Sequence, residues 1–256
     1  MSRVAAPFKK KSGVLSIYCT AGFPKIDSTI EVIQALQENG ADMIELGIPY
    51  SDPLADGPII QLSSSVALSN GMSIKKLFEQ LKGFRQSIHI PVILMGYMNP
   101  VLQYGFEKFC VEAAAMGIDG LILPDLPAHE FETSYIDTIK KHKLDFIFLV
   151  TPETAEERIR LLDKLSSGFL YAVSSSSTTG SAKDFGRVLT YLDRLEKLKL
   201  KNPVLAGFGI RNREDFKQVC NFANGAIIGS AYIQALSQEN SVNKATKSFL
   251  SSILQD

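Results

Sequence analysis

Eight short apolar runs recur along this chain: Val14–Thr20, Met43–Leu46, Val92–Gly96, Gly120–Leu123, Asp145–Val150, Leu170–Val173, Val204–Gly207 and Ala226–Gly229. Each spans four to seven residues, is bounded by Gly, Pro or Asp, and is apolar at odd and even positions alike. A strand with one wet face alternates; a strand buried on both faces, as in a parallel sheet covered by helices, does not. The stretches between the runs carry helical periodicity and recognisable ends. Ser28 and Glu31 have capping-box spacing ahead of Ile30, Ile33 and Leu36, and Asn39-Gly40 is the stop. Gly105 to Met116 ends at Gly117, and Ala155 to Leu165 and Phe185 to Leu198 repeat the theme.

A helix-stop glycine precedes a strand in a recurring phrase, seen at Gly40-Ala41-Asp42, Gly117-Ile118-Asp119 and Gly225-Ala226. Eight strand–helix alternations with no break in composition predict one closed α/β domain over residues 1–256: a (β/α)8 TIM barrel with a short N-terminal helix. A doubly wound open sheet is the rival. It lacks support at the first strand, which no GxGxxG follows.

Lys plus Arg total 27 and Asp plus Glu total 27, so there is no net field to attract nucleic acid or an anionic membrane. No run nears the ~20 apolar residues of a spanning helix. Met1 to Lys11 lacks the apolar core of a signal peptide, so the cytoplasm is expected. Cys19, Cys110 and Cys220 are odd in number and widely spaced, which reads as core thiols in a reducing compartment.

A barrel gathers its chemistry at the C-terminal ends of its strands. The polar residues falling there are Thr20, Glu45, Asp56, Asn99, Asp125 and Thr151. Glu45 stands out among Ile44, Leu46 and Ile48, because a carboxylate there faces a large desolvation cost unless it is paired or works at a site. Burial raises a carboxyl pKa towards neutrality, which suits proton transfer. A structural Glu paired to a distant cation is the plainer reading. Asp56 lies in a loop rich in Pro and Gly, where an Asp is either a turn residue or a catalyst; Asp52, before Pro53, fits the turn role.

Three glycine-bearing strand ends suggest a phosphate grip: the Ser174–Thr179 stretch closing at Gly180, Gly207-Phe208-Gly209, and Gly229-Ser230-Ala231. Glycines let N–H groups approach an anion, and a helix starting at Ser230 would aim its positive end there. No lysine sits in the outlet half of a predicted strand, which argues against a Schiff-base aldolase. His89, His129 and His142 do not converge, so no metal site is expected.

The run from Glu45 to Pro58, Glu-Leu-Gly-Ile-Pro-Tyr-Ser-Asp-Pro-Leu-Ala-Asp-Gly-Pro, closely resembles the signature of the tryptophan synthase alpha subunit family. Supporting stretches span most of the chain: Tyr18 to Gly22, Met95 to Pro100, Leu123 to Pro127, Tyr171 to Ser174, Gly207 to Ile210 and Gly229 to Ala231. The resemblance implies retro-aldol cleavage of indole-3-glycerol phosphate to indole and glyceraldehyde 3-phosphate. It implies Glu45 as the acid–base residue and Asp56 as acceptor for the indole N–H. Tyr171 would line the site, and Tyr18, Met95, Ile122 and Leu149 would form the indole pocket. Gly180, Gly209, Gly229 and Ser230 would hold the phosphate, with Phe208 counted among the substrate-binding residues. No cofactor is implied in this chain. The implied partner is a pyridoxal-phosphate beta subunit in an alpha2-beta2 complex, met by the Pro49–Pro58 loop, with Ser174–Gly186 closing as a lid.

The chain departs from the family at that lid, where Ser177 and Thr178 replace the usual glycine and valine. A weakly catalytic alpha-type subunit that mainly activates the beta subunit is therefore the alternative reading. Another phosphate-gripping barrel, of the phosphoribosyl-anthranilate isomerase or indole-glycerol-phosphate synthase type, is a third.

Overall fold

The computed structural model describes residues 2–10, 13–173, 182–207 and 209–255. Its strands are β1 (Val14–Thr20), β2 (Met43–Gly47), β3 (Val92–Met95), β4 (Gly120–Ile122), β5 (Asp145–Phe146), β6 (Leu149–Val150), β7 (Leu170–Val173), β8 (Val204–Gly207) and β9 (Gly225–Ile228). All pairings are parallel, in the order β5-β4-β3-β2-β1-β9-β8-β7-β6. The two outermost members, β5 and β6, are halves of the single run 145–150, so the sheet curls back on itself into a barrel. The eight expected runs are present, the fifth divided.

One serine marks the division. Ser166 Oγ accepts from Phe148 N–H at 3.1 Å, so a side chain takes a donor at the break between the two halves. Pairing still continues across the break. Ile147 N–H donates to Leu121 O at 3.1 Å on one side, and Tyr171 N–H donates to Phe148 O at 3.0 Å on the other.

Alternation along each strand sorts side chains into two cores. Val14, Met43, Ile93, Ile122, Ile147, Phe169, Tyr171, Leu205 and Ile227 meet inside the barrel. Leu15, Ile17, Ile44, Leu46, Leu94 and Leu121 face outward against helical residues such as Val32, Leu36, Phe109 and Tyr232. The expected N-terminal helix, Pro7–Lys10, sets Phe8 against Phe169 (ring centroids 6.3 Å apart), while Val4 is fully buried in the interior cluster.

The recurring phrase before the strands has a structural meaning. Asp42 N–H donates to Leu15 O, and its Oδ2 accepts from Leu15 N–H at 2.8 Å. The same reciprocal pair joins Asp119 to Val92, Ser167 to Phe146 and Asn224 to Val204. Each polar residue stands just before an even-numbered run and clasps the start of the odd-numbered run before it. A buried N–H at the first or second residue of each of those four runs is thereby satisfied.

The helices agree closely with the sequence reading: Phe106–Met116 closes on Gly117 at φ 88°, and Glu156–Leu165 and Ala182–Lys197 follow. The capping box does not form. Ser28–Glu38 is helical, but Asp27 is its N-cap and no side chain caps it. Packing takes the expected cap: Ser28 is buried beside Thr29, whose Oγ1 accepts from Gly22 N–H at 3.1 Å. The Cys19 and Cys110 thiols are buried, Cys220 is half-buried, and none of the three is in a disulfide.

Candidate active site

Glu45 lies on the interior parity of β2, two residues beyond Met43, and is fully buried. Its Oε1 accepts from Ser16 Oγ at 3.2 Å, while Oε2 has no hydrogen-bond partner among the described residues. Burial pushes the carboxyl up to about 8, against a small downward pull from the Ser16 hydroxyl. At neutral pH the group is therefore an acid holding its proton.

Asp56 ends the loop after β2. Gly57 caps and Pro58 opens the helix Pro58–Ser69, a start that needs no N–H from its first residue. Burial raises the Asp56 carboxyl to about 6, opposed by a hydrogen bond from the Tyr97 hydroxyl. The same hydroxyl accepts from Ala55 N–H at 3.1 Å. Tyr97 is itself fixed from behind. Its ring packs on Tyr50 at 5.4 Å, and both oxygens of Asp125 accept at 3.0 Å from Met98 N–H, the first donor of the helix Met98–Tyr104. Asp52 takes a local turn contact from Ser51 Oγ at 2.5 Å, as its place before Pro53 suggests.

Tyr18 and Tyr171 project inward from β1 and β7 over glycines of adjacent strands. A Cβ at Gly207 would lie 2.6 Å from Tyr171 Oη, and one at Gly229 3.3 Å from Tyr18 Cβ. Burial raises both hydroxyls far above their usual range. The charges of Glu45, Asp56 and Tyr18 add to the effect at Tyr171, and that of Asp56 adds to the effect at Tyr18. Ile122 is fully buried below them, and Met95 and Leu149 are half-buried against the same cluster. Beside the site a cavity of about 200 Å³ opens, lined by Leu123, Asp125, Leu149, Arg158 and Leu162 among others; neither Glu45 nor Asp56 lines it.

At the end of β9, which pairs with β1, Gly229 is the N-cap of the helix Ser230–Gln238, with no side-chain cap, so its first N–H groups are open to an anion. Gly209 stands at φ 41° after β8. Gly180 and Phe208 lie outside the described residues, as do Ser177 and Thr178. Of the expected lid, residues from Ala182 onward are helical. Among the described residues no three His, Cys, Asp or Glu gather as a metal site, and no helix is long and apolar enough to cross a membrane.

Sequence reasoning overlooked Ser16 and the role of Tyr97. Ser16 was detectable as the one polar residue between Val14 and Tyr18 on the interior parity of β1. Tyr97 sits only two residues beyond β3.

Fold and site together define a (β/α)8 barrel with two carboxyl groups of separated proton affinity at its outlet. The tryptophan synthase alpha chain family matches residues 4–254. The tryptophan synthase alpha chain of Flavobacterium psychrophilum is 51% identical over 254 residues, covering 99% of this chain and 100% of its own. That of Parabacteroides distasonis is 46% identical over 257 residues, covering 100% of both. Among solved structures, the tryptophan synthase subunit alpha of Legionella pneumophila superposes with a TM-score of 0.88 at 35% identity, covering 99% of this chain and 97% of that one. Tryptophan synthase from M. tuberculosis in its aminoacrylate-bound form gives 0.85 at 31%, covering 99% and 100%. The chain belongs to the tryptophan synthase alpha chain family, lyases of tryptophan biosynthesis.

Proposed function

We propose that this chain, as one barrel domain over residues 1–256, cleaves indole-3-glycerol phosphate to indole and glyceraldehyde 3-phosphate, with Glu45 as acid and then base. The observation that carries the reading is the fully buried Glu45 carboxyl, protonated at neutral pH, with Oε2 left unpartnered. Glu45 delivers its proton to the indole ring carbon that bears the side chain. Asp56, ionised at the same pH, accepts from the indole N–H and balances the positive charge that develops on the ring. The resulting Glu45 carboxylate removes the proton from the adjacent side-chain hydroxyl as the carbon–carbon bond breaks. One proton leaves Glu45 and one returns.

Tyr18, Met95, Ile122, Leu149 and Tyr171 supply the apolar walls for the ring. Gly209, Gly229 and Ser230, with Gly180, hold the phosphate end, and Phe208 is a further substrate-binding residue; the uncapped helix start at Ser230 supports the phosphate reading. The indole passes to a beta subunit, which carries the pyridoxal phosphate and condenses indole with serine. The work is cytoplasmic, as expected of a biosynthetic enzyme of this family.

Indole release from indole-3-glycerol phosphate, by the chain alone and with its beta subunit, tests the reading. The expected kcat/KM profile is a bell, with an acid limb near 6 where Asp56 loses charge and an alkaline limb near 8 where Glu45 loses its proton. Glu45→Gln should lose at least ~10²–10⁴-fold. A formed complex that stimulates the beta reaction without releasing indole would instead leave the chain as an activator.

A further inference from the structure

Ser16 is buried inside the barrel with no exposed surface, and its hydroxyl donates to one oxygen of Glu45. A carboxyl group has two oxygens, and in its neutral form only one bears the proton. The oxygen that accepts a hydrogen bond is the carbonyl-like one, which leaves the proton on the other. Here Oε1 accepts from Ser16, and Oε2 has no partner among the described residues. We propose that Ser16 is a positioning residue, which anchors Glu45 by Oε1 so that the transferable proton resides on Oε2, free towards the substrate. This rests on the reading of Glu45 as the acid–base group.

The register makes Ser16 suited to the task. It pairs across to Met43, one interior position below the Tyr18–Glu45 rung, so its hydroxyl approaches Glu45 from beneath and leaves the outlet side clear. The hydrogen bond also favours the ionised form that must take the second proton, easing the acid's return as base. The other groups whose charge couples to Glu45 are the Cys19 thiol of β1 and the Tyr171 hydroxyl of β7; Asp56 and Tyr18 couple to Tyr171. None of these is an anchoring donor to Oε1 among the described residues.

The experiment has two independent readouts in the full-length chain. The first is the titration of the Glu45 carboxyl by carbon NMR with labelled glutamate and no substrate, the signal assigned by its loss in Glu45→Gln. The second is the pH profile of indole release with the beta subunit present. In Ser16→Ala the carboxyl should titrate about half to one pH unit higher, as the loss of one buried hydrogen bond to the ionised form requires. The alkaline limb should move with it. Turnover at pH 7 should fall roughly two- to tenfold, with KM little changed because Ser16 does not meet the substrate. Ser16→Thr, which keeps the hydroxyl, should restore titration and limb. If Glu45→Gln is inactive but Ser16→Ala keeps the wild-type titration and limb, the positioning role is overturned and the catalytic reading survives. If Glu45→Gln retains turnover, the catalytic reading falls and the positioning role falls with it.

Discussion

At the scale of single residues, the two carboxyl groups show how environment divides labour between like side chains. Glu45 is sealed inside the barrel with one hydroxyl contact, and its proton affinity rises to about 8. Asp56 is half-buried in a loop, hydrogen-bonded by Tyr97, and rises only to about 6. One is acid and the other ion at the same pH. That arrangement has a cost in stability whose sign follows from linkage. An unfolded chain ionises Glu45 above about 4.3, whereas the folded chain resists ionisation until about 8. The stability compatible with a neutral Glu45 is thus complete below the unfolded value and is lost progressively as pH rises through the folded one. Glu45→Gln, which does not titrate, should melt above the wild type at pH 8 to 9 and near it at pH 4, as calorimetry at the two pH values would report. The buried acid would then be held at a cost, as functional groups often are.

Among elements, the four reciprocal clasps are the repeated device. Asp42, Asp119, Ser167 and Asn224 each close one strand–helix–strand unit by taking and giving hydrogen bonds at a single residue of the earlier strand. Asn224→Ala leaves Val204 N–H without its acceptor and should cost about 1–3 kcal/mol in urea unfolding. Asp119→Ala should cost more, about 3–5 kcal/mol, because Asp119 also pairs with Arg85 and Arg3 and its loss strands a largely buried guanidinium. Burial works against both members of the Asp119–Arg85 pair, so their mutual attraction and shared hydrogen bonds hold them together. Equal effects of the two substitutions would show that the ion pair adds nothing to the clasp.

For the whole molecule, one feature points outward. Leu54 is 97% exposed on the loop that carries Asp56, an unusual place for a large apolar side chain. Leu102, half-exposed on the helix that begins beside Tyr97, is another. A beta subunit that covered Leu54 would both gain apolar contact and steady the segment that positions Asp56. Leu54→Asp should weaken association about 10- to 100-fold, the equivalent of one lost apolar anchor. The circular dichroism of the free chain should not change. Titration of the variant into the beta subunit, followed calorimetrically, measures it; an unchanged affinity would move the interface away from this loop.

Much of this was open to reading in one dimension. The apolar runs, buried on both parities, imply parallel strands under helices, and eight of them imply closure. The outlet rule then puts Glu45 and Asp56 among six polar candidates, and burial among apolar neighbours marks out Glu45; for Asp56 the resemblance was needed. These features are legible because they depend on local pattern and on the direction in which strands leave the sheet. The divided fifth strand was not legible, because Ser166 acts on Phe148, 18 residues earlier in the chain. The capping box at Ser28 failed for a like reason, since packing against the turn after β1 claimed its hydroxyl-bearing neighbour. Nor could the sequence say that Ser16 meets Glu45 or that Tyr97 meets Asp56, since 29 and 41 residues separate them. Sequence by itself determined the barrel and the carboxylates at its mouth. Only the tertiary structure decided how strongly each carboxyl holds its proton, because desolvation and hydrogen bonding are properties of neighbours that folding brings together.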